Sequence, residues 1–157
     1  MREEDFFRRY ETLLTLPVLR QMSRFRQHGS VTTFDHCLSV ALLSLSIEQR
    51  LHLHADEYSL VRGALLHDFY LYDWHTGAGV TRPRLHGLHH PGTALENARR
   101  YFALNPIEEN IIISHMWPLT LRTVPRCREA VIVCLADKIC SIRETLFLRR
   151  GGFSEKD

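Results

Sequence analysis

Apolar residues recur at helical spacing along almost the whole chain. A first amphipathic segment runs from Glu3 to about Leu16 and stops before Pro17, and a second continues to about Gln27, ahead of His28-Gly29. Thr32-x-x-Asp35 has the form of a capping box and opens a long helix to about Leu53, whose stripe of His36, Val40, Leu43 and Ile47 turns His36 inward. Asp56 is suited to cap the next helix, where Leu60, Ala64 and His67 share one stripe and Val61, Leu65 and Asp68 its neighbour. From Trp74 to His90 the pattern breaks into glycines, Pro83, two arginines and four histidines, a loop of the length usually kept for function. Pro91 at a first helical position makes His90 the entry to a helix ending near Ala103. Asn105-Pro106, followed by Glu108 and Glu109, starts another with Ile107, Ile111 and His115 along one face, and Pro118 closes it. A last helix covers about Arg128 to Arg150, carries Asp137 on a stripe with Ala130 and Val133, and stops at Gly151-Gly152. No segment alternates as a strand does, so the expected class is all-α, a bundle of about six or seven helices.

The totals narrow this picture. A chain of 157 residues, 45% hydrophobic and 24% charged, is the size and make-up of one globular domain spanning 1–157. Its net charge of +2 announces neither a nucleic-acid polymer nor a membrane as partner, and leaves oligomeric state open. The acidic start MREEDFF is unlike a signal peptide and no apolar run approaches a membrane span, so the expected location is cytoplasmic. Four cysteines without a CxxC pair read as free thiols, Cys37 and Cys140 as small core fillers. Histidine is the outlier, with 10 copies.

His36, His67, Asp68, His90, His115 and Asp137 each sit on or at the end of a helix and face the apolar side. Buried carboxylates cost several kcal/mol unless matched, and a pair of them among imidazoles invites a metal. Imidazole with carboxylate suits Fe, Mn, Zn, Ni or Co, and the lack of a thiolate argues against a structural zinc site. Adjacent helical residues splay by about 100°, so His67 and Asp68 can grip a metal lying over the edge between them, and the second oxygen of Asp68 can reach another ion. One metal is expected under His36, His67, Asp68 and Asp137, the other under His90 and His115 with Asp68 as bridge; His89 is the alternative to His90. Arg82, Arg84, Arg122, Arg126 and Lys138 are candidates to receive an anionic group, and Trp74 and Trp117 to stack on a planar ring. His86, with His28 and His75 behind it, is the candidate general acid.

The ordered set His36, His67-Asp68 and Asp137, in the contexts HCLSVA, GALLHD and CLADK, resembles the HD superfamily of metal-dependent phosphohydrolases over about 32–144. That leaves 1–27 as N-terminal helices and 151–157 as a short tail. His90 and His115 match the two added histidines of its dinuclear subset. There is no GYP signature and His115 is not doubled, unlike the cyclic-dinucleotide branch; the small bacterial diadenosine tetraphosphate hydrolases are a nearer likeness in size and ligand order. HDFYLYDW lacks the lysine that many members carry after the pair. The resemblance implies two divalent ions, iron foremost, and hydrolysis of a phosphoester or phosphoanhydride in a small phosphorylated substrate such as a nucleotide. Asp68 and His86 are then the expected catalytic residues. Two alternatives stand beside it: a mixed-valence di-iron oxygenase on the same ligands, as in myo-inositol oxygenase, and a non-catalytic nucleotide-binding module stabilised by metal.

Overall fold

The structure, a computed structural model, describes residues 2–73 and 86–151, and for 28, 86, 87 and 147–151 the backbone alone. Local capping starts the longer helices where the sequence places them. Thr32 accepts from the Asp35 amide and Asp35 returns a bond to the Thr32 amide, a complete capping box at the head of α4 (Thr33–Leu51). Asp56 accepts from the Ser59 amide at 2.6 Å and opens α5 (Glu57–Leu66). A second capping box, Asn105 with Glu108, and Pro106 in the first turn open α7 (Pro106–Ser114). The remaining long helices are α6 (His86–Tyr101) and α8 (Arg128–Gly151).

These five form the bundle. α4 packs on α5 and α8, α5 on α7, and α7 on both α6 and α8. Leu60, Val61, Ala64 and Leu65 of α5 and Ile111 and Ile112 of α7 are fully buried in the shared core, and Ala130, Val133 and Ala136 line the inner face of α8. Gly63 permits the close approach of α5 to α7: a Cβ there would stand 2.5 Å from Ile111 Cδ1. His67 and His115 each follow four residues later, one turn beyond this contact, so the close approach at Gly63 lies directly under two of the expected ligands.

The first 27 residues depart from the expected pair of helices. They form α1 (Glu3–Arg9), α2 (Glu11–Leu14), α3 (Pro17–Arg20) and a 3-10 turn (Gln21–Arg24), whose Phe6, Leu19 and Met22 are buried. A small hairpin follows, β1 (Arg26–His28) with β2 (Val31–Thr32), although no strand was expected. Gly29, at φ 55, supplies the left-handed backbone that reverses the chain. Arg26 pairs with Thr32 and His28 with Val31, so Gln27 is an extra residue on its strand, a β-bulge. A bulge in a three-residue strand erases the alternation by which strands are recognised. Even so, helix dominates among the described residues and the class is all-α.

α6 brings a second correction. It begins at His86 and contains Pro91, so His90 lies inside the helix rather than at its entry. The bond that Pro91 cannot make falls on the carbonyl of the first-turn residue Gly87, near the end where proline disturbs a helix least. Most of the expected loop, with Trp74, His75, Arg82 and Arg84, lies outside the described residues. Among the described residues no helix is long and apolar enough to cross a membrane.

Candidate metal centre

Six side chains from five elements meet in the interior. His36 comes from the first turns of α4 and His90 from α6, Asp137 lies midway along α8, and Asp68 follows α5 in a turn. His67 and His115 are the C-caps of α5 and α7. All six are buried, none more than 7% exposed.

The two C-cap histidines are held in the same manner. The last carbonyls of a helix have no partner within it. His67 Nδ1 donates to the Ala64 carbonyl at 2.7 Å and His115 Nδ1 to the Ile112 carbonyl at 2.8 Å. A carbonyl only accepts, so both rings carry the proton on Nδ1 and, when neutral, present the Nε2 lone pair to the interior. Helix termination therefore orients the donors. His36 is fixed from further away: Glu144, two turns beyond Asp137 on α8, meets its Nδ1 at 3.0 Å and 3.1 Å through its two oxygens.

Asp68 stands between two pairs of rings. Its Oδ2 is 3.5 Å from His67 Nε2 and 3.9 Å from His36 Nε2, while Oδ1 is 3.1 Å from His90 Nε2 and 3.4 Å from His115 Nε2. His90 and His115 bring their Nε2 atoms to 2.8 Å of each other. Asp137 Oδ1 closes the first pair, 3.1 Å from His36 Nε2 and 3.8 Å from His67 Nε2. Two donor sets thus share one residue: His36, His67 and Asp68, and Asp68, His90 and His115.

The electrostatics match this crowding. Burial drives His67 down to about 4, against the pull of Asp68, so it is neutral at physiological pH. Burial would also lower His36, but its bonds to Asp137 and Glu144 prevail and raise it to about 10. Burial alone would raise Asp68, yet the imidazoles of His67, His90 and His115 hold it well below the usual carboxylate range. Asp137 is opposed by burial in the same way and is brought to about 2, chiefly by its hydrogen bond with His36.

Two atoms of the cluster are buried without a hydrogen bond among the described residues: His67 Nε2 and Asp68 Oδ1. Oδ1 lies within ion-pair reach of His90 and His115 but takes no bond of acceptable direction from either ring. An orphaned buried acceptor costs about 1–3 kcal/mol. Both are acceptors, one in each donor set, so the residues present fit a divalent cation in either position.

Several neighbours of this centre carried no signal as motifs. Gln27 Nε2 donates to Asp68 Oδ2 at 2.7 Å, and the bulge in β1 is what brings it there. Glu144 had one legible trait, its seven-residue spacing from Asp137, which repeats a helix face. Cys37 Sγ packs 3.7 Å from His67 Nδ1 as a fully buried filler. Cys37, Cys127, Cys134 and Cys140 are all free.

The other expected residues fall as follows. Of the adjacent pair, His90 is buried against Asp68 and His89 is exposed. The Lys138 ammonium meets the His115 carbonyl at 3.1 Å, the Cys134 carbonyl at 3.2 Å and Cys134 Sγ at 3.1 Å. An ammonium has three donors, so a phosphate could reach Lys138 only by displacing one of these partners. Arg122 is exposed and lines a cavity of about 530 Å³ with His89, Pro91 and Thr123. Trp117 is exposed beside Pro118 and Val131. Arg126 is exposed, its amide bonded to Asn110. The side chains of His28 and His86, and all of Arg82 and Arg84, lie outside the described residues.

The family model for the HD domain matches residues 33–142, a span that includes all six clustered residues. Searches of curated proteins and of solved structures returned no match.

Proposed function

Since this chain belongs to the HD domain family, we propose that it is a metal-dependent phosphohydrolase acting on a phosphoester or phosphoanhydride of a small phosphorylated metabolite, nucleotides included. One observation carries the two-metal reading: Asp68 presents a different oxygen to each of two histidine pairs. In this reading His36, His67, Asp68 and Asp137 hold one divalent ion, and His90, His115 and the second oxygen of Asp68 hold the other. Such a pair, when bound, lowers the pKa of water toward 7 and offsets charge on phosphate oxygens.

The protein's own groups do the rest. Each ring bonded through Nδ1 to a carbonyl or carboxylate has its orientation settled before any ligand arrives, which limits the reorganisation that binding requires. Lys138 holds the carbonyl of His115 and so fixes the end of α7. His86 stands one turn before His90 on α6 and is assigned the proton donated to the leaving oxygen; Arg82, Arg84 and Arg122 are assigned to phosphate.

Elemental analysis of protein purified without added metal, then a phosphoester panel on the same sample under anaerobic conditions, tests the proposal. Two transition-metal ions per chain, with phosphate release that a chelator abolishes, are expected. Turnover that requires oxygen and releases no phosphate would overturn it in favour of oxygenase chemistry.

A further inference from the structure

We infer that Gln27 is a positioning residue that keeps Asp68 shared between the two halves of the centre. The inference rests on the two-metal reading above and concerns a residue outside every ligand motif in the chain. Gln27 is buried and stands at the extra position of the β1 bulge, where a side chain is re-aimed out of the strand's normal alternation.

Its carboxamide can be oriented in only one way. Nε2 lies 2.7 Å from Asp68 Oδ2, while Oε1 accepts from the Tyr70 hydroxyl at 2.5 Å and lies 3.4 Å from Thr33 Oγ1. The flipped amide would set its oxygen against a carboxylate oxygen with no proton between them. Tyr70 and Thr33 therefore aim the N–H end of Gln27 at Asp68.

The consequence concerns the bridge. Among the described residues Asp68 Oδ1 accepts no hydrogen bond, and Gln27 is the side chain there that grips this carboxylate from outside the ring cluster. With Oδ2 held, the group cannot rotate about its last bond, and each oxygen keeps its own histidine pair. Without that grip both oxygens are free to turn to one ion, and the other half is left with two imidazoles.

The test is stepwise addition of Mn²⁺ to metal-free protein, read by electron paramagnetic resonance, for the wild type and for Gln27→Met, which keeps the volume but removes the donor. The wild type is expected to take up two ions and to show an exchange-coupled pair. In Gln27→Met the first ion is expected to bind within about threefold of wild type, the second about 10–100-fold more weakly, with the coupled signal lost and the urea midpoint unchanged. Unchanged second-step affinity and coupling would overturn the inference and leave the two-metal reading intact. Equal weakening of both steps with a lowered urea midpoint would also overturn it, because Gln27 would then only support the fold. A wild type holding a single uncoupled ion would overturn both readings. Should Gln27→Met fail to fold, Tyr70→Phe releases Oε1 alone: a smaller weakening confined to the second step supports the inference, and an unchanged second step overturns it.

Discussion

At the scale of single residues, the centre runs on which nitrogen of each histidine is engaged. His36 differs from His67 because its Nδ1 partner is a carboxylate, and together with Asp137 this holds it protonated up to about 10, whereas His67 is neutral above about 4. A cation that takes His36 Nε2 must displace that proton. Metal uptake by the metal-free protein at pH 7.5 is therefore expected to release about one proton per chain, and affinity to rise up to about tenfold per pH unit until pH nears 10. Calorimetry in two buffers of different ionisation enthalpy measures the release. Replacing Glu144 by glutamine removes one of the three carboxylates that raise His36, beside Asp137 and Asp68, so that variant is expected to release less than the wild type.

At the scale of elements, the α5–α7 contact sets the distance between two ligand-bearing helix ends. Gly63→Ala gains about 1 kcal/mol of helix propensity but forces its Cβ to within 2.5 Å of Ile111 Cδ1 and 3.1 Å of Ile111 Cβ. Overpacking of this kind costs about 1–3 kcal/mol, so the expected net effect is destabilisation. It is also expected to weaken metal binding, since His67 and His115, whose rings stand 4.8 Å apart, lie one turn beyond the clash. Ile111→Val, which lacks the Cδ1 atom, is expected to restore most of both losses in the double variant. Urea unfolding and Mn²⁺ titration of the three variants measure this. The adjoining turn is fastened separately, by Asn97 Nδ2 on the carbonyls of Phe69 and Tyr70.

At the scale of the whole molecule, the buried titrating groups give the metal-free protein a pH optimum for stability. His67, lowered to about 4, contributes stability present above the unfolded value of about 6.5 and lost as pH falls through 4. His36, raised to about 10, contributes stability present below about 6.5 and lost as pH rises through 10. Asp137, held at about 2, contributes stability present above about 3.9 and lost only as pH falls through 2. The urea midpoint of the metal-free protein is expected to peak near pH 6.5 and to fall on both sides. A cation held by this donor set favours the folded chain, so saturating Mn²⁺ is expected to raise the thermal midpoint, and increasingly so as pH rises toward 10, where proton competition for His36 fades; thermal scans across pH with and without the ion measure it.

By itself the sequence determined what depends on near neighbours. Capping bonds join residues three apart, so Thr32 with Asp35, Asp56 with Ser59 and Asn105 with Glu108 were legible as helix starts. Polar residues on apolar stripes were equally legible, and they marked His36, His67, Asp68, His115 and Asp137, which gather inside together with His90. Tertiary structure alone decided matters that turn on distant partners. The choice of His90 over His89 followed from which ring faced Asp68, and the tie between His36 and Glu144 joins residues 108 positions apart. Gln27 acquired its place only because a bulge in a short hairpin broke the strand's period. Local bonds are written in adjacent letters, whereas a ring's orientation is set by whatever the fold packs against it.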